Sequence, residues 1–430
     1  MSTVTVTESG AQPADESLRV VDVVSAKAPI TFALAILAMA SLLLFGAQSG
    51  DTTFRFSRAG DFFTVPDVTV PATTTAWVLV VVLVALTAES VRRYVARRRT
   101  PGWLIALFAL VALTAFLSWA GADATLRVDG LLAGTILLAI PLVFGAMSGV
   151  LGERVGVVNI AIDGQLLAGA FAAALVGSIF GSAWAGVLGA MLAGALVAVI
   201  LAVFTITYFV EQVIVGVVLN VLVLGVTNFM FSQVLAENPE GLNTPPRLSQ
   251  WAIPVLSDIP VLGSALFKQS PIVYLLYVVV AAVTYALYRT RWGLRVRAVG
   301  EHPKAADTVG INVIRTRYTT VILAGAIAGA GGAFYSLVSV QGFNREITDG
   351  AGYIALAAVI FGKWDPIKAT LAALLFGFAG NLQGTLSVIG APVPSEFMLM
   401  LPYLVTLLAV AGFVGRSRPP AASGIPYRKS

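Results

Sequence analysis

The sequence predicts an all-α, polytopic integral membrane protein with about 10–12 transmembrane segments, two of them short or broken helices. Three observations carry this. The 430 residues are 58% hydrophobic and only 11% charged, whereas soluble domains hold about 25% charged residues. The apolar runs reach the roughly 20 residues that a helical span needs. They are also continuous, where the strands of a membrane β-barrel would alternate.

Taken in order, residues 1–28 are polar and include Glu8, Asp15, Glu16 and Asp22. A signal peptide would open with a basic segment directly before its apolar stretch, so this segment reads as a disordered cytoplasmic tail. Residues 29–128 form an N-terminal extension with spans near 29–47, 73–88 and 103–120. Residues 129–415 form the core, with spans near 130–147, 184–207, 213–235, 271–288, 318–338, 367–388 and 398–414. Two further stretches, 155–180 and 352–362, are broken or short and are rich in glycine or flanked by it. Discontinuous helices in the two halves of a membrane protein point to a solute path. Residues 416–430 are a second cytoplasmic tail.

Charge sets the orientation. Arg92, Arg93, Arg97, Arg98 and Arg99 follow the second span, and loop 289–317 carries seven basic residues against Glu301 and Asp307. Such loops lie in the cytoplasm, which places both termini inside when all twelve segments cross. The net charge of +5 comes from these clusters and is no nucleic-acid signal. Loop 236–270 is proline-rich and lies outside. Its length fits either a docking surface for an external partner or packing over the bundle.

The absence of cysteine excludes disulfides and thiol catalysis, and the single His302 leaves little for a metal site. No catalytic constellation and no phosphate loop is present: Gly362-Lys363-Trp364 lacks the flanking residues of one. Small residues recur four apart at Gly145/Gly149, Gly177/Gly181, Gly325/Gly329 and Gly380/Gly384. They read as helix-packing positions.

The most informative segment is Gly152-Glu153-Arg154-Val155-Gly156-Val157-Val158-Asn159-Ile160-Ala161-Ile162-Asp163-Gly164-Gln165. Polar groups at membrane depth are costly and usually serve a path or a partner. On a helix Asn159 and Asp163 share a face, and Gln165 joins them if Gly164 breaks the helix. The plainer reading is that Asp163 pairs with Arg154 or caps a neighbouring helix. Asn220 and Asn228 lie on similar faces of run 213–235, and interhelical hydrogen bonding is the ordinary role for such residues, favoured for Asn228 and left open for Asn220. Asn381 and Gln383 read as helix glue. The substrate-path candidates are therefore Asn159, Asp163, Gln165 and Asn220.

In loop 289–317, Pro303 suits a first helical turn and Gly310 a helix end. The spacing predicts a helix of about two turns presenting Ala305, Ala306 and Val309 on one side. It is too short to stand alone. It is held by the spans, lies in a groove of another protein, or rests on the membrane surface through its basic neighbours.

Four blocks together resemble the permease subunits of bacterial ABC importers for nucleosides and simple sugars, the branched-chain amino-acid/ribose-type family. They are GERVGVVNIAIDGQ (152–165), QVIVGVVLN (212–220), WGLRVRAVGEHPKAADTVGIN (292–312) and ALAAVIFGKWDP (355–366). The resemblance covers about residues 130–414, and its wording is nearest the nucleoside branch. It implies a nucleoside substrate, a separate cytoplasmic ATPase that binds ATP and magnesium, a second and non-identical permease, and an extracytoplasmic binding lipoprotein. It implies no cofactor on this chain, and a bacterial inner-membrane location. It also implies that Pro303, Ala305, Ala306, Val309 and Gly310 form the helix that couples to the ATPase. The chain departs from the family pattern in carrying Ala161 where glycine is usual and Asp163 where glutamate is usual. A simple-sugar permease and an ion-coupled transporter using Asp163 or Glu211 are the alternatives. A membrane-embedded enzyme is a third, for which acids are sparse.

Overall fold

A computed structural model describes residues 26–58, 60–394, 396–400 and 418–429. Most of the expected N-terminal tail, most of the expected span 398–414 and the start of the C-terminal tail lie outside these residues. Among the described residues, ten helices are long and apolar enough to cross a membrane. The protein is an all-α, multi-pass membrane protein.

The chain divides into two compact units. The first holds α1 (Lys27–Phe45) and most of α2 (Ala72–Val95) and α3 (Gly102–Ala120). Its small core is Phe32, Leu83, Leu104 and Phe108. The Phe32 and Phe108 rings stack at 3.8 Å.

The second unit opens with a feature the apolar pattern does not announce, a three-stranded sheet. β1 (Asp51–Arg55) pairs antiparallel with β2 (Val68–Pro71) and parallel with β3 (Thr125–Arg127). The strands are short and rich in threonine and valine, which favour extended backbone. Arg58 forms an ion pair with Asp129, itself buried at the start of α4 (Val128–Arg154).

The helices of this unit continue as α5 (Ile162–Ile179), α6 (Ala183–Ala202) and α7 (Gln212–Met230). α6 and α7 each end in one π-helical turn, at Val203–Thr207 and Phe231–Leu235. The long outer connection is ordered by a short α8 (Pro239–Leu242) and by the pair β4 (Trp251–Ala252) and β5 (Lys268–Gln269). Then follow α9 (Pro271–Arg289), α10 (Arg291–Glu301), α11 (Pro303–Thr308), α12 (Val313–Phe334), α13 (Ala351–Phe361) and α14 (Pro366–Val388).

α12 is the centre of the bundle and packs against α4, α5 and α6. Glycine makes that approach possible. A Cβ on Gly194 would stand 2.7 Å from the Gly329 Cα, so the α6 and α12 backbones touch. Gly145 and Gly149 serve α13 similarly, their added Cβ atoms each falling 2.7 Å from Ala355 or Val359 side-chain atoms. The packing expectation does not hold for Gly181 or Gly384, which face open space.

Loop 289–317 holds more helix than its pattern suggests. α10 is capped by Thr290, whose hydroxyl accepts the Gly293 N–H at 3.1 Å. α11 starts at Pro303 and is closed by Gly310, whose φ of +84° lets the Gly310 and Ile311 amides bond back to Asp307 and Ala306. One expected face is divided: Ala306 is buried at 4% exposure, while Ala305 and Val309 are exposed. A helix with one buried stripe cannot present all three outward.

Candidate functional site

The first block does not continue as helix. α4 ends at Arg154, residues 155–161 cross over without helical structure, and α5 begins at Ile162. Gly156 turns the chain at a φ of +89°. The other blocks secure this crossing. The Val158 amide donates to the Gln212 side chain at 2.7 Å, and a Cβ on Gly216 would strike Ile160. Arg154 donates to the Trp364 carbonyl at 2.8 Å, and the Trp364 indole donates to the Glu153 carboxylate. Gly300 packs directly on the Arg154 carbonyl. Four blocks scattered over 215 residues of sequence, from 152 to 366, thus meet at one place.

The four candidate path residues separate into two pairs. Because α5 starts only at Ile162, Asn159 and Asp163 do not share a helical face. Asn159 and Gln165 are fully buried and exchange amide hydrogen bonds at 3.0 and 3.3 Å. Asn159 also donates to the Ser148 hydroxyl of α4 at 3.2 Å. The knot is closed upon itself, and neither amide lines the cavity described next.

Asp163 and Asn220 face that cavity. It measures about 220 Å³ and is lined also by Glu346, Thr348, Asp349 and Tyr353. Asn220 on α7 accepts the Gly164 N–H at 2.8 Å and donates to the Ile160 carbonyl at 2.9 Å. It also donates to the Tyr353 hydroxyl at 3.0 Å. Asp163 accepts the Gly352 N–H at 2.9 Å and the Thr348 hydroxyl at 3.4 Å. The plainer expectation for this acid is therefore met: it caps α13 and does not pair with Arg154. The first turns of α5 and α13 converge here, and Asp163 answers the positive end of the α13 dipole.

Helix length places the site in depth. α13 has 11 residues and so rises about 16 Å, half of the roughly 30 Å apolar core. Its far end, at Trp364, meets the end of α4 beside the basic loop. Asp163, beside the first turn of α13, thus lies about 16 Å of helix rise from that end, at a break between helices of the kind that builds transporter sites.

Three carboxylates line the cavity and no cation does. The neighbouring Arg345 turns away, donating to the Ser232 hydroxyl at 2.6 Å and covering the Phe231 ring. Such a wall accepts hydrogen bonds from a hydroxyl- or amine-bearing solute, attracts cations and repels anions. The reading from sequence misses Glu346, Thr348, Asp349 and Tyr353. Thr348-Asp349-Gly350 just before the short apolar run was the available signal. Asn228 was expected to join helices, but its buried Oδ1 has no hydrogen-bond partner. Asn381 does join them, donating to the Leu131 carbonyl at 2.7 Å.

The model of the branched-chain amino acid transport system / permease component family matches residues 131–410. The chain belongs to this family of permeases. It is 41% identical to the guanosine ABC transporter permease protein NupQ of Bacillus subtilis, over 69% of this chain and 95% of that one. It is 38% identical to the nucleoside ABC transporter permease protein NupC of Lactococcus lactis, over 70% of this chain and 97% of that one. A glucose relative, the putative TsgC13 permease of Haloferax volcanii, is 35% identical over 59% of this chain and 77% of its own length. No solved structure matches the chain. The crossing at 155–161, the cavity and α11 all fall inside the span matched to the permease family.

Proposed function

We propose that this permease is one membrane subunit of an ATP-driven importer of nucleosides in a bacterial inner membrane, with both termini in the cytoplasm. The observation that carries the reading is the acid-lined cavity where α5 and α13 begin. Asp163, Asn220 and Tyr353 are its substrate-contacting residues. The carboxylates receive ribose hydroxyls or base N–H groups, and the Tyr353 ring offers an aromatic face to a base. Asn159 and Gln165 act one layer behind, as the brace of the crossing. The similarity to guanosine and nucleoside permeases supports this substrate class.

ATP and magnesium are held by a separate cytoplasmic ATPase, which meets α11 through the exposed face of Lys304, Ala305, Thr308 and Val309. A second, non-identical permease completes the translocator, and a binding lipoprotein delivers solute from outside. The ion-coupled alternative loses one of its two acids, because Glu211 caps α7 with bonds to the Val213 and Ile214 amides and is exposed.

Proteoliposomes test the reading. Labelled guanosine should accumulate only when both permeases, the ATPase, the binding protein and ATP are present. Accumulation by the isolated chain under a sodium or proton gradient would overturn it.

A further inference from the structure

Residues 418–429 lie across the end of the bundle that bears loop 289–317 and bond to it at successive points. The Ala422 N–H donates to the Gly300 carbonyl at 2.8 Å, and the Ala421 N–H to the Glu301 carboxylate at 3.2 Å. Arg317 of α12, buried at 1% exposure, donates to the Ile425 carbonyl at 3.2 Å. The Tyr427 side chain stands beside α11, lining one small cavity together with Asp307 and Gly310. The Arg428 guanidinium stands 5.1 Å from the centre of the Phe209 ring, in the α6–α7 connection.

Two of these contacts bracket a mechanical route. At one end, Tyr427 lies beside the end of α11. At the other, the Ala422 carbonyl lies against the turn that opens the crossing, where a Cβ on Gly156 would stand 3.0 Å from it. Ala422 and Tyr427 are both buried, so the segment packs as part of the fold. α11 has six residues and is too short to hold its shape unaided. Of the two acids of the coupling loop, Glu301 is bonded by this segment and Asp307 lies beside its Tyr427.

We propose that residues 421–427 are a transmission strap: Tyr427 and Ala422 position α11 against the α4–α5 crossing, so that force on α11 reaches the segment carrying Asp163. The proposal rests on the reading of α11 as the ATPase contact and adds a route that the matched region does not contain, since the family match ends at residue 410. Tyr427 is a positioning residue in this scheme, with no contact to solute.

The test uses the complete importer in proteoliposomes, with two variants: deletion of residues 421–430, and Tyr427→Ala, which removes the buried ring beside α11. Subunits should still copurify and ATP hydrolysis should persist, while ATP consumed per solute rises about tenfold. The chain has no cysteine, so a rescue is available. Asp307→Cys with Tyr427→Cys should be uncoupled, and a short thiol-reactive linker between them should restore uptake. Unchanged ATP consumption per solute in both variants would overturn the strap. Loss of the chain from the membrane in both, with no rescue by the linker, would overturn it too, by making the segment a folding element alone. A wild-type chain that never copurifies with an ATPase sinks the underlying reading with it. A wild type that couples, beside variants that couple equally well, sinks only the strap.

Discussion

The Asn220 amide donates to the Tyr353 hydroxyl at 3.0 Å and so ties α7 to α13 beside the acid-lined cavity. The same amide group holds the backbone of the crossing at Ile160 and the first turn of α5 at Gly164. One side chain therefore reports the position of the crossing to two helices. Tyr353→Phe removes a single hydrogen bond, worth about 1 kcal/mol, while keeping the ring. It should lower nucleoside uptake roughly fivefold at unchanged chain level. Measured uptake equal to wild type would remove the hydroxyl from the site.

Asp163 has two duties, and substitution separates them. Asp163→Asn keeps an oxygen for the Gly352 N–H and so preserves the α13 cap. It removes one charge from the cavity and should impair uptake while assembly survives. Asp163→Ala loses the cap as well, at a further cost of about 1 kcal/mol in stability. Thermal melting of the detergent-solubilised chain should fall for alanine and stay near wild type for asparagine. Normal transport by the asparagine variant would take the charge out of the mechanism.

Asn159 and Gln165 should behave in the opposite way. Gln165→Leu leaves the buried Asn159 Oδ1 without its donor, the Ser148 hydroxyl still accepting from the amide nitrogen, at a cost of about 1–3 kcal/mol. The melting temperature should drop, and uptake per folded molecule should hold. A variant with full stability and lost uptake would return this pair to the solute path.

These contrasts show what the sequence discloses. Spans are legible because burying polar backbone in lipid demands long apolar helices, and α7 and α14 sit where their apolar runs do. That the stretch 155–180 is broken is legible because Gly156, Gly164 and the polar Asn159, Asp163 and Gln165 interrupt it; that the break falls at 155–161 is not. Nor is the partition of Asn159 from Asp163. It depends on α5 starting at Ile162, and a shift of two residues would turn the faces by more than half a turn. Tyr353 is hidden for another reason: a tyrosine in an apolar run commonly anchors a helix at the interface, and only the contact from Asn220 singles it out. The sheet of β1, β2 and β3 is built from runs of five, four and three residues, too short for any periodicity to register.

α11 supplies the sharpest contrast between neighbours. Ala305 is exposed and Ala306 is buried in the core cluster. Ala305→Glu adds a charge to the outward face, so the chain should reach normal levels while copurification with the ATPase weakens. Ala306→Glu forces a carboxylate into the packed side, where an unpaired charge is strongly destabilising, and should lower the amount of folded chain before any contact is lost. Val309→Asp, at a residue 75% exposed, should mimic Ala305→Glu. If both exposed variants bind the ATPase and drive uptake as the wild type does, the outward face of α11 is not the contact. The basic surface around Arg291, Arg295 and Arg315, which would then be the next cationic candidate, should be probed by charge reversal in the same copurification assay.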